Sequence, residues 1–382
     1  MFPRNRHFLQ SAFAPMMGIP FVLFTMGSLW FNEGRAVKTS RALAEGAKSV
    51  RMADCRAVSP DNEGKLVYLT GEVTTGSTVR DAEFHAEATA LRLNRQVVMY
   101  QWQESESSSS SGSGREQTKT YSYRKVWSDK PISSAGFRQS GHENPRDWPF
   151  ESKEWRVSDA RMSAYRIPER ILGRLGGAVR LTAPLDQNQT HAQGSARPAP
   201  MPYMGGMFFG KNPDDPQVGD MCVSFLQLKP GTFSLISQQV RDSLQPYRAA
   251  SGVDVELVGT GNVEVPALFD TAVRENDATM WLIRIFGFIF LTIGMVFTSH
   301  PIGRFGARIP VLGHLIGAGV AIFAIGMAIV CWITVIALAW LAYRSVLTFT
   351  LLLGVAALIL WATKGMKAIG SRESGGSGVK AA

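Results

Sequence analysis

The chain has 382 residues, 45% of them hydrophobic and 19% charged, and a formal charge of +9 that is unevenly placed. Its 40 Lys+Arg divide as 2, 30 and 8 over residues 1–31, 32–280 and 281–382, and its 31 Asp+Glu as 0, 30 and 1. The middle region is therefore neutral, which excludes a nucleic-acid-binding domain needing a basic face, and the flanking apolar runs exclude a simple soluble enzyme.

The first element follows a short N-terminus, 1–10, that carries Arg4 and Arg6. Residues 11–31 lie inside the charge-free run Phe8–Asn32 and predict transmembrane helix 1. This run is longer than the apolar part of a cleaved signal peptide. It ends Trp30-Phe31-Asn32-Glu33, without a small-x-small site, so it reads as an uncleaved signal anchor.

Residues 32–280 are expected to form a β-rich domain outside the cytoplasm. Residues 36–50 predict a helix, because Ala36, Ser40, Leu43, Ala47 and Val50 fall on one face. The stripe is narrow and rich in small residues. It suits packing on the domain's own sheet or a seam for self-association. Lys65–Glu72 predicts a strand after the turn at 60–64. Gln96–Gln103 and Lys119–Trp127 predict a hairpin whose tip is the flexible Ser/Gly tract Ser105–Gly114. The region 184–216 reads as a long loop. Asp220–Leu228 and Thr232–Val240 predict a second hairpin, turned at Lys229-Pro230-Gly231, and Val253–Val258 a further strand. Residues 265–283 turn helical and are expected to run straight into the second span. Cys55 and Cys222 share a compartment in which a disulfide can persist, and Cys331 falls inside an apolar span.

Three more spans follow, at 281–299, 317–343 and 345–363, with an interfacial loop at 300–316 and a tail at 364–382. Pro301 is expected to limit the first of them. The run Ile309–Tyr343 is charge-free over 35 residues, and a helix that long would measure ~52 Å. Its middle offers no polar turn, so it predicts one span, with His314 near the interface. Gly313, Gly317 and Ala321 recur every four residues, a spacing that lets helices approach closely within one chain or between protomers. Arg4, Arg6, Arg304, Arg308, Lys364, Lys367, Arg372 and Lys380 all fall on one side of a four-span topology. The positive-inside rule makes that side cytoplasmic, with both termini there. The neutral domain is then periplasmic in a bacterial inner membrane, or lumenal in an endoplasmic reticulum or nuclear envelope. The fold class is an α+β membrane protein: four transmembrane helices, one N-terminal and three C-terminal, around a large β-rich extracytoplasmic domain.

No phosphate loop, nucleophile elbow or zinc signature occurs, so no catalytic, cofactor-binding or metal residue is assigned. The best polar cluster is Gly141-His142-Glu143-Asn144-Pro145. His142 is the single candidate for a tethered hydrolase, but Asn-Pro more naturally makes a turn.

Several ordered runs resemble the LUMA family, also called transmembrane protein 43. These are Asn32-Glu33-Gly34-Arg35-Ala36 with Leu43-Ala44-Glu45-Gly46, Asn62-Glu63-Gly64-Lys65-Leu66-Val67, Met99-Tyr100-Gln101-Trp102, Tyr121-Ser122-Tyr123 with Trp127, Gly141-His142 with Asn144-Pro145, and Val218-Gly219-Asp220 with Val223-Ser224-Phe225. The resemblance fades over 155–212 and beyond residue 365. It implies a four-span protein with a large lumenal domain, self-association and no enzymatic activity. In animals it implies a scaffold of the endoplasmic reticulum and inner nuclear membrane that touches emerin and lamins. No residue here specifies a nuclear address, so those partners are not carried over.

Together these readings predict a non-enzymatic membrane scaffold that forms homo-oligomers in the lipid bilayer and organises other membrane proteins. It is expected to use no cofactor, nucleic acid or small-molecule substrate. A transporter or channel is the competing expectation, and a tethered hydrolase the next.

Overall fold

A computed structural model describes residues 5–110, 117–181, 200–306, 313–344 and 350. The chain divides into two compact units. One comprises Met1–Glu45, Ala249–Val253 and Asp270–Ala382; the other comprises Gly46–Arg248 and Asp254–Phe269.

The first unit is helical. Helix α1 covers Asn5–Ser49, joining the predicted span 1 and the predicted helix 36–50 without a break. A short α2, Glu169–Arg174, belongs to the other unit. Helix α3 covers Val265–Gly306 and α4 covers Gly313–Tyr343. Within α3 and α4, Val265–Ser299 and Gly319–Tyr343 are long and apolar enough to cross a membrane. From Trp281 to Phe297 in α3 and along α4, large apolar side chains are exposed, among them Ile285, Phe286, Ile289, Phe290, Ile322, Phe323 and Ile333. Helices apolar on their outer faces suit a lipid solvent, in which helices satisfy their own backbone groups. Helix α3 passes through Pro301 to Gly306, further than the sequence suggested. A proline removes one backbone donor, which a long helix with its other amides bonded tolerates. The predicted span 345–363 lies outside the described residues, apart from Thr350.

Helices α1 and α3 run antiparallel with a constant register. A Cβ at Gly18 would sit 2.6 Å from Thr298 Oγ1, one at Gly294 would sit 2.7 Å from Val22, and one at Gly287 would sit 2.5 Å from Leu29. Small residues here let two backbones approach closely. Val22, Leu29 and Leu291 then form one buried cluster with Ala328 and Val335 of α4.

The second unit is β-rich, and two seven-stranded sheets share its core. In one, Leu66–Thr74 pairs antiparallel with Gly231–Val240, from Leu66↔Gln238 to Val73↔Gly231. In the other, Arg92–Ser110 pairs with Met221–Leu228 on one side and with Gln117–Ser128 on the other. The inward residues alternate: Met221, Val223 and Phe225 meet Leu69, Val73, Leu93, Val97 and Leu235 in the core. This period of two is what a half-buried strand requires.

Three expectations need correction. Met221–Leu228 and Gly231–Val240 are not a hairpin, because they belong to different sheets and the link at Lys229-Pro230 crosses between them. A Pro-Gly turn reverses the chain without choosing whether the next strand pairs or crosses over. The serine tract is not wholly a loop, since Ser105–Ser110 continue the ladder as far as Ser110↔Gln117. The region 184–216 holds the strands Met201–Tyr203 and Gly206–Phe209, which pair with each other, the second also pairing with Met221–Leu228; its residues 184–199 lie outside the described ones. Cys55, Cys222 and Cys331 are all free thiols.

Candidate functional site

In the helical unit, an acid and a base meet where the apolar runs begin. Glu33 follows the charge-free run of α1, and Arg284 precedes that of α3. Arg284 donates from Nε to Glu33 Oε1 at 2.7 Å and from Nη2 to Oε2 at 2.8 Å, a two-pronged pairing. The carboxylate side chain is 1% exposed and the guanidinium 7%. Trp281, one turn earlier, lies under the guanidinium with 4.8 Å to its ring centre. Removing either partner would leave a lone buried charge, so the pair holds both helices to one register.

Amide groups extend the clamp. Asn32 Nδ2 donates to the Met280 carbonyl at 3.2 Å, and Arg35 Nη1 donates to Asn276 Oδ1 at 3.0 Å. Asn276 Nδ2 in turn donates to the Ala36 carbonyl at 3.2 Å. Helix α4 closes the arrangement. Trp332 Nε1 donates to the Arg284 carbonyl at 3.0 Å, and Arg41 donates to the Tyr343 carbonyl at the end of α4. A Cβ at Gly34 would lie 2.5 Å from the Tyr343 ring, so any larger residue must displace that ring. The run Asn32-Glu33-Gly34-Arg35 is thus a three-helix clamp in which each side chain has a distinct partner or clearance.

The clamp was not read from the sequence. There this run stands out as a family marker, not as a structural device. The signal that could have found it is the placement of Glu33 and Arg284 at the same-side ends of two apolar runs.

The residues proposed for self-association divide. Ala36 and Leu43 are buried, Val50 is half-buried, and Ser40 and Ala47 are exposed. Gly313 and Gly317 lie at the start of α4, and Ala321 is exposed. The buried stripe of α4 is instead Ala324, Ala328, Val335 and Ala339.

In the β-rich unit, His142 is a packing residue. Its ring stacks on Tyr123 at 3.9 Å and meets Trp102 edge-on at 4.5 Å. Tyr123 donates its hydroxyl to Glu104 and accepts from the Gln139 amide at 2.9 Å. These bonds hold the Glu104 carboxyl below its ordinary range: first the tyrosine hydroxyl, then the Arg138 amide. Burial above all raises the Tyr123 hydroxyl. Beside His142, the Gly141 amide lowers the Glu143 carboxyl. Asn144 fastens the loop. It accepts from the Trp102 amide at 2.7 Å and donates to the Trp102 and Ile132 carbonyls at 2.9 and 3.0 Å.

A cleft of about 590 Å³ lies nearby, floored by Met99, Phe209 and Met221 and rimmed by Arg146, Lys211 and Asp220. The Asp220 carboxylate is engaged by the Gln217 amide at 2.7 Å. Cys222, on the strand beyond, has its thiol pushed up to about 11, chiefly by burial and then by Asp220. Among the described residues, no group of three or more His, Cys, Asp and Glu is placed to hold a metal.

The family model described as Transmembrane protein 43 matches residues 99–345, more than half of the chain. Transmembrane protein 43 of Rattus norvegicus is 29% identical, covering 90% of this chain and 87% of the relative. That of Homo sapiens is 28% identical over 86% and 84%. The Transmembrane protein 43 homolog of Drosophila melanogaster is 26% identical over 90% and 93%. No solved structure matches.

Proposed function

For a chain that belongs to the transmembrane protein 43 family, we propose the role of a non-enzymatic membrane scaffold that self-associates and organises other membrane proteins. In this reading four helices cross the bilayer: the α1 segment 11–31, α3, α4 and residues 345–363. Both termini are cytoplasmic and the β-rich unit is periplasmic or lumenal.

The observation that carries the reading is the clamp. Among the described residues, the buried ionisable groups of the helical unit, Glu33 and Arg284, pair with each other. A transport pathway instead needs polar groups turned to water or a substrate. In the β-rich unit the one histidine considered for catalysis is wedged between rings. Among the described residues the small residues Ser40, Ala47 and Ala321 are exposed, which suits contact with a second copy.

Mass measurement of the full chain in lipid nanodiscs tests the proposal. Assemblies of two or more chains are expected, and a strict monomer at membrane-like concentration overturns it. Labelling single cysteines placed at Ser113 and Ser377 from each side of a sealed membrane checks the topology. Both labels reacting from the same compartment would sink the sidedness.

A further inference from the structure

Strand Gln117–Ser128 ends its sheet. It pairs on one side with Arg92–Ser110, and among the described residues nothing pairs with its other side. The backbone groups along that open edge can be identified. Trp102 has its amide and carbonyl on the Asn144 side chain, so both point away from the hairpin partner. Tyr100 behaves alike, its amide donating to the Asp220 carbonyl at 2.8 Å and its carbonyl accepting from Gly219 at 2.9 Å. Trp102 faces Lys125, and Tyr100 faces Trp127. Antiparallel pairs alternate between bonded and non-bonded, so Lys119, Tyr121, Tyr123, Lys125 and Trp127 present their amides and carbonyls outward.

The two edges of this hairpin are treated differently. On the Arg92–Ser110 side, the chain's own Asn144 amide covers Trp102 as an added strand would. The Gln117–Ser128 side is long and uncovered, the condition under which an extended chain adds to a sheet. Its charge selects what is added. The strand carries Lys119, Arg124 and Lys125 and no carboxylate. Its existing neighbour is acidic: Glu106 Oε1 lies 2.5 Å from Lys119 Nζ, and Glu104 accepts from Tyr123. Opposite charges across strands stabilise and like charges repel. The same strand of a second copy would set cations against cations. Lys125 sits over Trp102 at 5.2 Å, and Trp127 is 38% exposed, so apolar side chains alternating with the acids would also find contact.

We propose that the outer edge of Gln117–Ser128 docks an extended, acidic segment of a partner protein, which joins the sheet as a further strand. This deepens the scaffold reading by naming the chemistry of what is scaffolded.

The test uses the full chain in nanodiscs of zwitterionic lipid and labelled peptides of about ten residues, the length of a long strand. One peptide alternates Glu with Val, one replaces each Glu by Lys, and one is the acidic peptide N-methylated at alternate backbone positions. The acidic peptide is expected to bind roughly tenfold or more tightly than the basic one. It should slow hydrogen exchange at Tyr121, Tyr123 and Lys125, and N-methylation should abolish binding. Lys125→Glu should weaken binding of the acidic peptide and narrow its advantage over the basic one. Equal binding of acidic and basic peptides, indifference to N-methylation, or protection of this edge by a second copy without peptide would overturn the proposal. None of these outcomes alters the mass measurement that tests self-association.

Discussion

Among the described residues each unit buries an arginine against carboxylate, and the two arginines do different work. In the β-rich unit, Arg95 donates to Asp81 at 2.8 Å, to Glu83 at 2.6 Å and to the Glu151 carbonyl at 2.8 Å. Its acids lie 14 and 12 residues away in sequence. Backbone ladders already hold the strand around it on both sides, from Arg92↔Leu228 and Arg92↔Arg156. In the helical unit, Arg284 and Glu33 are 251 residues apart. The helices make their backbone bonds internally, so nothing in the backbone sets how far one slides along another. A buried ion pair is an accessory to register in a sheet and its determinant between helices.

The comparison breaks most visibly when each arginine is removed. Arg284→Ala and Arg95→Ala each leave a buried carboxylate and should cost about 3–5 kcal/mol, read by denaturant unfolding in nanodiscs. They should differ in register. Hydrogen exchange along Arg92–Met99 should keep its pattern in Arg95→Ala. Cross-linking between cysteines placed at Leu29 and Gly287 should scatter to neighbouring positions when Arg284 is lost. Replacing both Glu33 and Arg284 by leucine should return most of the stability but not the single register. Unscattered cross-links in either variant would refute the distinction.

Gly34→Ala acts on the helical side alone. Its Cβ must displace the Tyr343 ring, an overpacking worth about 1–3 kcal/mol. The same unfolding measurement should show it, together with loss of quenching between Trp30 and Tyr343, whose rings are 5.8 Å apart. On the sheet side, Asn144→Ala strands the Trp102 amide and carbonyl at about 1–3 kcal/mol. Faster exchange confined to Trp102 and residues 130–144 is expected. Unchanged exchange would mean that the rings, not the amide, hold the loop.

The smallest effect is on pH. Glu104 and Glu143 are both held below their ordinary 4.5 by hydrogen bonds made in the folded state. A depressed carboxyl adds stability that is present above the unfolded value and lost as pH falls through the folded one. Exchange in the loop around His142, relative to the intrinsic rate of an unprotected amide at the same pH, should therefore quicken as pH drops below 4.5. A loop that loosens at higher pH instead would contradict the assignment.

Much of this architecture was readable from local pattern. Charge-free runs located α3 and α4, and alternation located the strands from Leu66, Arg92 and Gln117. The four-residue spacing of Gly313, Gly317 and Ala321 did not pick out the buried face of α4, which carries Ala324 and Ala328, while Ala321 is exposed. Which of several small-residue faces is used depends on partners distant in sequence. The same limit explains the second hairpin. Lys229-Pro230-Gly231 announces a reversal, but whether Gly231–Val240 pairs with its predecessor or with Leu66–Thr74 is decided by Leu66–Thr74 itself. The clamp was not read from the sequence: Glu33 appears there only within a family-like run and Arg284 falls inside the predicted span 281–299, and their meeting requires the antiparallel arrangement of α1 and α3.

The crossing at Lys229-Pro230 has a further consequence, for the order in which the chain can be assembled. Residues Arg92–Met99 acquire the partner on one of their two edges only when Met221–Leu228 arrives, and Leu66–Thr74 waits longer still for Gly231–Val240. At ~5–20 residues per second, the interval between Met99 and Met221 is roughly 6–25 s of synthesis. Through that time an apolar strand edge stands open while the first apolar helix has already been made. Premature pairing of that open edge during this delay is a route to misassembly that the finished sheet closes.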